Sequence, residues 1–146
     1  MRVMCLLRAS PDTESDKLPT QELLNAMASF NEELVKAGVL LAAEGLRPSK
    51  KGARLTLTGP KRTVIDGPFA ETKELISGFW ILQVGTMDEA IEWMKRCPTP
   101  YEGEPVIELR QISEPEDFGE VATPELQARE RAMGAQMAEQ RAKTNQ

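Results

Sequence analysis

Hydrophobic positions along the chain fall into short blocks whose spacing switches between strand-like and helix-like periods. Residues 2–8 form a nearly continuous apolar run, the pattern of a strand buried on both faces. Residues 10–19 are rich in Pro, Asp, Ser and Thr and read as a loop. Thr20 then supplies an N-cap. Leu23, Met27, Phe30 and Leu34 follow at four-, three- and four-residue steps, a helical stripe that Gly38 is placed to end. Residues 39–43 read as a short strand. Residues 53–58 alternate, with Leu55 and Leu57 facing one way and Arg54, Thr56 and Thr58 the other, which predicts a half-exposed strand. Gly59-Pro60 turns this strand into a second one, residues 62–65, and so predicts a β-hairpin. Asp66-Gly67-Pro68 is a sharp turn. Residues 78–84 read as another buried strand. Thr86 caps a helix to about Arg96 that carries Met87, Ala90, Ile91 and Met94, and Pro98-Thr99-Pro100 stops it. In the last strand, residues 106–112, Ile107 and Leu109 point towards the helices, while Val106, Glu108, Arg110 and Ile112 point away.

The order β-α-β-(hairpin)-β-α-β predicts an α+β fold, ferredoxin-like (βαββαβ) with an inserted hairpin. Such a sheet carries helices on one face only. The other face needs a cover, and in a chain of 146 residues a second subunit is the natural one, so a homodimer is expected. Beyond Ser113 the composition changes. Residues 114–120 read as an acidic linker, and Thr123-Pro124-Glu125 as a helix start with proline at the first helical position. The helix to about Ala142 has few large apolar residues, Leu126, Met133 and Met137, and reads as exposed or embracing a partner; Thr144-Asn145-Gln146 is expected to fray. The domain is therefore expected over residues 1–113, with a helical extension over 114–146.

Composition narrows the chemistry. There is no histidine, which excludes Ser-His-Asp and Cys-His nucleophilic machinery, histidine metal sites and histidine acid–base catalysis. Chemistry must run on carboxylates, Arg or Lys, Tyr101, a thiol or a borrowed cofactor. No motif for a cofactor is present and the acidic residues lack metal-ligand spacing, so neither cofactor nor metal is expected. Cys5 and Cys97 form no C-x-x-C and read as structural or incidental. With 23 acidic against 18 basic residues and no concentrated basic stripe, nucleic acid is a poor partner. The cations Lys50, Lys51, Arg54, Lys61 and Arg62 read as a solvated hairpin face, and Trp80, Trp93 and Tyr101 are too scattered for base stacking. No apolar run approaches the roughly 20 residues of a membrane span. Arg8 interrupts the N-terminal run and no small-residue cleavage site follows, so a cytoplasmic protein is expected.

One segment stands out: Ile65-Asp66-Gly67-Pro68-Phe69-Ala70-Glu71-Thr72-Lys73-Glu74. Together with Glu44-Gly45-Leu46-Arg47-Pro48, Lys51-Gly52-Ala53-Arg54, Gly78-Phe79-Trp80, Glu108-Leu109-Arg110-Gln111 and Glu116-Asp117-Phe118-Gly119, it resembles the DGPF-motif branch of the YCII-related superfamily. The resemblance covers most of the chain. It implies a dimeric α+β barrel with a cleft near the motif, and a lyase or isomerase acting on a small cyclic or aromatic acid. Relatives with chemistry use a His–Asp pair; this chain has no His, so only Asp66 matches. Some bacterial relatives are linked to alternative sigma factors, which supplies the alternative of a non-catalytic regulatory protein with a protein partner.

The residues themselves leave two readings open. Asp66 either closes an Asx-type turn or transfers protons, with Glu44 near enough to form a carboxylate pair with split pKa values. Glu108 and Arg110 share one face of a strand, either to clamp an anionic ligand or as an interface ion pair. Phe69 reads as a core anchor or a ligand contact. Glu71 reads as a ligand contact or a solvated charge near a helix start, and Lys73 as a surface lysine. Three functions follow: a small-molecule lyase or isomerase, a ligand-binding or regulatory protein without turnover, and a dimeric adaptor.

Overall fold

The computed structural model describes residues 1–99 and 103–144. The proline stop at Pro100, Tyr101 and the fraying end at Asn145-Gln146 lie outside these residues. The chain divides into two compact units, Met1–Ile112 and Ser113–Gln146.

The first unit is α+β. Strands β1 (Arg2–Arg8), β2 (Leu40–Gly45), β5 (Ile76–Gln83) and β6 (Ile107–Gln111) form one antiparallel sheet in the order β2-β5-β1-β6. Helix α1 (Gln21–Lys36) follows β1, and α2 (Met87–Met94) follows β5. This connectivity and order are consistent with a ferredoxin-like sheet, and the sheet stays open, closing no barrel among the described residues. Both helix caps form as the sequence expects. Thr20 Oγ1 accepts from the Leu23 amide at 3.1 Å and Thr86 Oγ1 from the Glu89 amide at 3.1 Å.

Strand alternation divides the sheet into two faces. On one, Val3 and Cys5 of β1 join Trp80 and Leu82 of β5 against Phe30 and Leu34 of α1 and Ala90 and Met94 of α2. Leu34, Leu82, Val3 and Cys5 are fully buried, so truncating Leu34 to Ala carries a cost of about 2–5 kcal/mol. Trp80 meets Phe30 edge to face, ring centres 6.3 Å apart, and its indole N–H donates to Asn31 Oδ1 at 2.9 Å. The other face carries two cross-strand rows, Glu44–Phe79–Leu6–Glu108 and Ala42–Ile81–Met4–Arg110. Phe79, Leu6, Ile81 and Met4 are only half-buried there.

The inserted hairpin pairs β3 (Ala53–Thr58) with β4 (Lys61–Asp66) as a separate two-stranded sheet. It differs from the half-exposed strand expected: both strands are exposed on both faces, and Leu55, Leu57 and Val64 have no cover. Period-2 alternation sets which side chains share a face; it does not say whether anything lies against that face. In the second unit, the acidic stretch 114–120 has local structure of its own. Pro115–Val121 winds as 3-10 turns, with the Glu114 amide donating to Asp117 Oδ2 at 2.8 Å and a break at Gly119, φ 56°. Helix α3 (Pro124–Thr144) follows, its start fixed by the Leu126 amide on Thr123 Oγ1 at 3.2 Å.

The hairpin is seated by close packing at Gly67. A Cβ there would lie 1.8 Å from the Ser49 carbonyl oxygen, so backbone would have to move. Gly67→Ala is expected to destabilise the protein by about 1–3 kcal/mol or more in denaturant titration. Gly45→Ala, whose Cβ meets nothing within 4 Å, should change stability by no more than about 0.5 kcal/mol.

Candidate functional site

The Asp66–Glu74 segment closes the hairpin onto the short 3-10 turn Ser49–Lys51. Ser49 is its hub. The Ser49 hydroxyl accepts from the Phe69 amide at 3.0 Å and donates to Glu14 Oε2 at 2.5 Å; the Ser49 amide donates to Glu14 Oε1 at 3.0 Å. The Gly67 amide donates to the Gly52 carbonyl at 3.0 Å. These bonds, and not an Asx-type turn, hold the segment: the Asp66 carboxylate accepts no hydrogen bond among the described residues. Phe69 is not a core anchor. It is half-buried outside the core, with the Arg54 guanidinium 4.1 Å from its ring centre, a cation–π contact. Glu71 precedes the 3-10 turn Thr72–Glu74, exposed and without a side-chain bond.

The other sequence-predicted residues fall on the half-buried face of the main sheet. Glu44 sits on one edge strand and Glu108 on the other, three strand spacings or about 14 Å apart. Asp66 belongs to the hairpin sheet and Glu44 to the main sheet. Glu108 and Arg110 do not pair: Glu108 faces Arg8, Nη2 to Oε2 3.7 Å, because residues two apart on a strand point the same way without meeting.

Arg8 leads to a cleft of about 450 Å³ at the end of β1, lined by Arg8, Ser10, Thr13, Lys73, Glu104 and Val106 among others. The backbone gathers there. The Arg8 amide donates to the Val106 carbonyl and the Ala9 amide to the Leu75 carbonyl, both at 2.9 Å. Arg8 Nη1 donates to the Lys73 carbonyl at 2.6 Å, which ties the segment after the motif to the main sheet. Ser10 and Thr13 form a reciprocal turn, Ser10 N–H to Thr13 Oγ1 at 2.8 Å and Thr13 N–H to Ser10 Oγ at 3.2 Å. The volume suits a small organic molecule, and a guanidinium fork suits a carboxylate or phosphate. Sequence reasoning passed over both cations. Arg8 ends an apolar strand where the register shifts, a position at which a charge has to find a reason, and that was the available signal. For Lys73 there was none. No group of three or more Cys, Asp or Glu side chains among the described residues is arranged to hold a metal ion.

The two thiols are sheltered. Burial, with Cys97 adjacent, pushes the Cys5 thiol up from 9.0 to about 12, and burial pushes Cys97 to about 11. Both should resist alkylation at pH 8 until the protein is unfolded, as read by mass spectrometry after timed iodoacetamide quenching. The sign for stability follows. The native fold disfavours the thiolates, so their contribution is complete below pH 9 and is lost as the pH rises through 11 to 12.

Residues 1–115 match the family described as the YCII-related domain. An uncharacterised protein of Rhizobium meliloti (strain 1021) is 29% identical over 93 residues, 64% of this chain and 75% of that protein. With the match running from the first strand past the last strand of the main sheet, the chain belongs to the YCII-related domain family.

Proposed function

We propose that this chain, a member of the DGPF-motif branch, is a cytoplasmic homodimer that binds a small organic anion in the cleft at the end of β1. The observation that carries the reading is the convergence of Arg8 and Lys73, 65 residues apart, on one cleft of small-molecule size. A ligand carboxylate would take the place of Glu108 beside the Arg8 guanidinium. Binding without turnover is favoured over lyase or isomerase chemistry, since neither Asp66 nor Glu44 lines the cleft. Arg110 and Glu44 then belong to the dimer face and not to the ligand. That face offers Phe79, Leu6, Ile81 and Met4, and the hairpin offers Leu55, Leu57 and Val64, as apolar surface for the second copy to cover.

Small carboxylates and inorganic phosphate, titrated by calorimetry or chemical-shift perturbation, test the ligand. Arg8→Met should weaken binding about 10- to 100-fold, the scale of a charge-assisted hydrogen bond, while Arg110→Met leaves it unchanged. Failure of every anion in the panel at millimolar concentration would remove the reading.

Sedimentation at micromolar concentration tests the assembly separately. The wild type should run as a dimer and Phe79→Glu as a monomer with its fold intact by circular dichroism. A monomeric wild type would refute it.

A further inference from the structure

The cleft beside Arg8 does not end at its cations. It shares Leu7, Thr13 and Ser77 with a second opening of about 440 Å³ that runs between the β1–α1 loop, the first turns of α1 and Leu46. The walls of this opening are strongly apolar, and Leu18, Leu24 and Leu46 stand 84%, 55% and 48% exposed. On its charged rim Asp16 pairs with Lys50 and Lys17 lies 3.6 Å from Asp12, and Arg47 lines the opening as well.

The floor has a specific origin. On the helix side of the sheet, Gly45 and Gly78 stand in register beside Leu7, so two neighbouring strands present no side chain under α1. A space of about 180 Å³ opens there, walled by Met27, Asn31 and Trp80 and again touching Leu7 and Ser77. The two glycines are not equivalent. A Cβ at Gly78 would meet the Glu44 carbonyl at 3.0 Å, which accounts for that glycine by close packing. A Cβ at Gly45 would meet nothing within 4 Å, so backbone packing does not account for it and the space above it is open.

We infer that the ligand is an amphipathic carboxylate, its head held by Arg8 and Lys73 and its aliphatic tail laid past Leu7 over Gly45 into the apolar trough. The inference rests on the anion-binding reading above and adds the class of molecule. Charge complementarity fixes the head at the cationic end, and the exposed leucines supply a contact that a short acid cannot use.

Straight-chain carboxylates from acetate to decanoate, each below its micellar concentration, provide the probe. Affinity should rise about fourfold per added methylene, the fold-change of one buried CH₂, with one molecule bound per chain. Gly45→Leu, which fills open space, should abolish this gain while leaving acetate and butanoate binding intact. Leu24→Asn, on the exposed side of α1, should reduce the gain without touching the floor, and covers the case in which Gly45→Leu misfolds. Three results overturn the inference: affinity that does not change with chain length, a gain that survives in both variants, or binding of several molecules per chain. Short acids that bind through Arg8 with no chain-length gain would leave the anion reading standing and remove the tail. No binding at any length would remove the anion reading itself.

Discussion

Strand β1 is the constraint on which the first unit depends. It is hydrogen-bonded on both sides, antiparallel to β5 and to β6, and its two-residue period must serve both neighbours at once. Val3 and Cys5 therefore commit Leu82, Trp80 and Leu109 to the helix face, and Met4 and Leu6 commit Ile81, Phe79, Arg110 and Glu108 to the other. A slip of one residue would exchange the two sets and expose the core. Where β1 ends, at the register shift after Leu7, this obligation lapses. The chain then places Arg8 at a junction of three segments, and the cleft forms where the sheet stops dictating which way side chains point.

Much of that arrangement was legible in the residues. The α1 stripe, with Phe30 and Leu34 inward, and the caps Thr20 and Thr86 are local signals, and local signals survive folding. Residues 53–58 were placed correctly as β3. Their exposure was not, since alternation of Leu55 and Leu57 reports a face and not its occupant. The 114–120 stretch shows a different limit. Its acidic composition suggested a linker without giving its shape; the Asp117 carboxylate accepts from the Glu114 amide where 3-10 turns begin, a one-bond event that composition does not reveal.

The candidate site was harder to read because its parts are brought together only by tertiary structure. Asp66 and Glu44 drew attention through a motif and a strand end, yet they stand in separate sheets and neither lines the cleft. Glu14 and Ser49 lie 35 residues apart and Ser49 and Phe69 another 20, and no period links them. The chain Glu14–Ser49–Phe69 fastens the β1–α1 loop, the turn after β2 and the post-hairpin segment to one another. The motif residues are explained by that fastening: Gly67 is small because a carbonyl lies against it, and the Phe69 amide is needed as a donor.

The same fastening gives the motif a physical connection to the cleft. The β1–α1 loop supplies Thr13 to the cleft wall, and its neighbour Glu14 is the residue clamped by Ser49. On the opposite wall, Lys73 follows Phe69 by four residues, and its carbonyl is fixed by Arg8. Two walls of the cleft are thus tethered through one serine, although that serine does not line it. The effect is preorganisation: loop segments that would otherwise lose conformational freedom on binding are already ordered by bonds made elsewhere. In the proposed binding mode Lys73 is the one residue of segment 65–74 that lines the cleft, and the fastening through Ser49 orders the walls on either side of it.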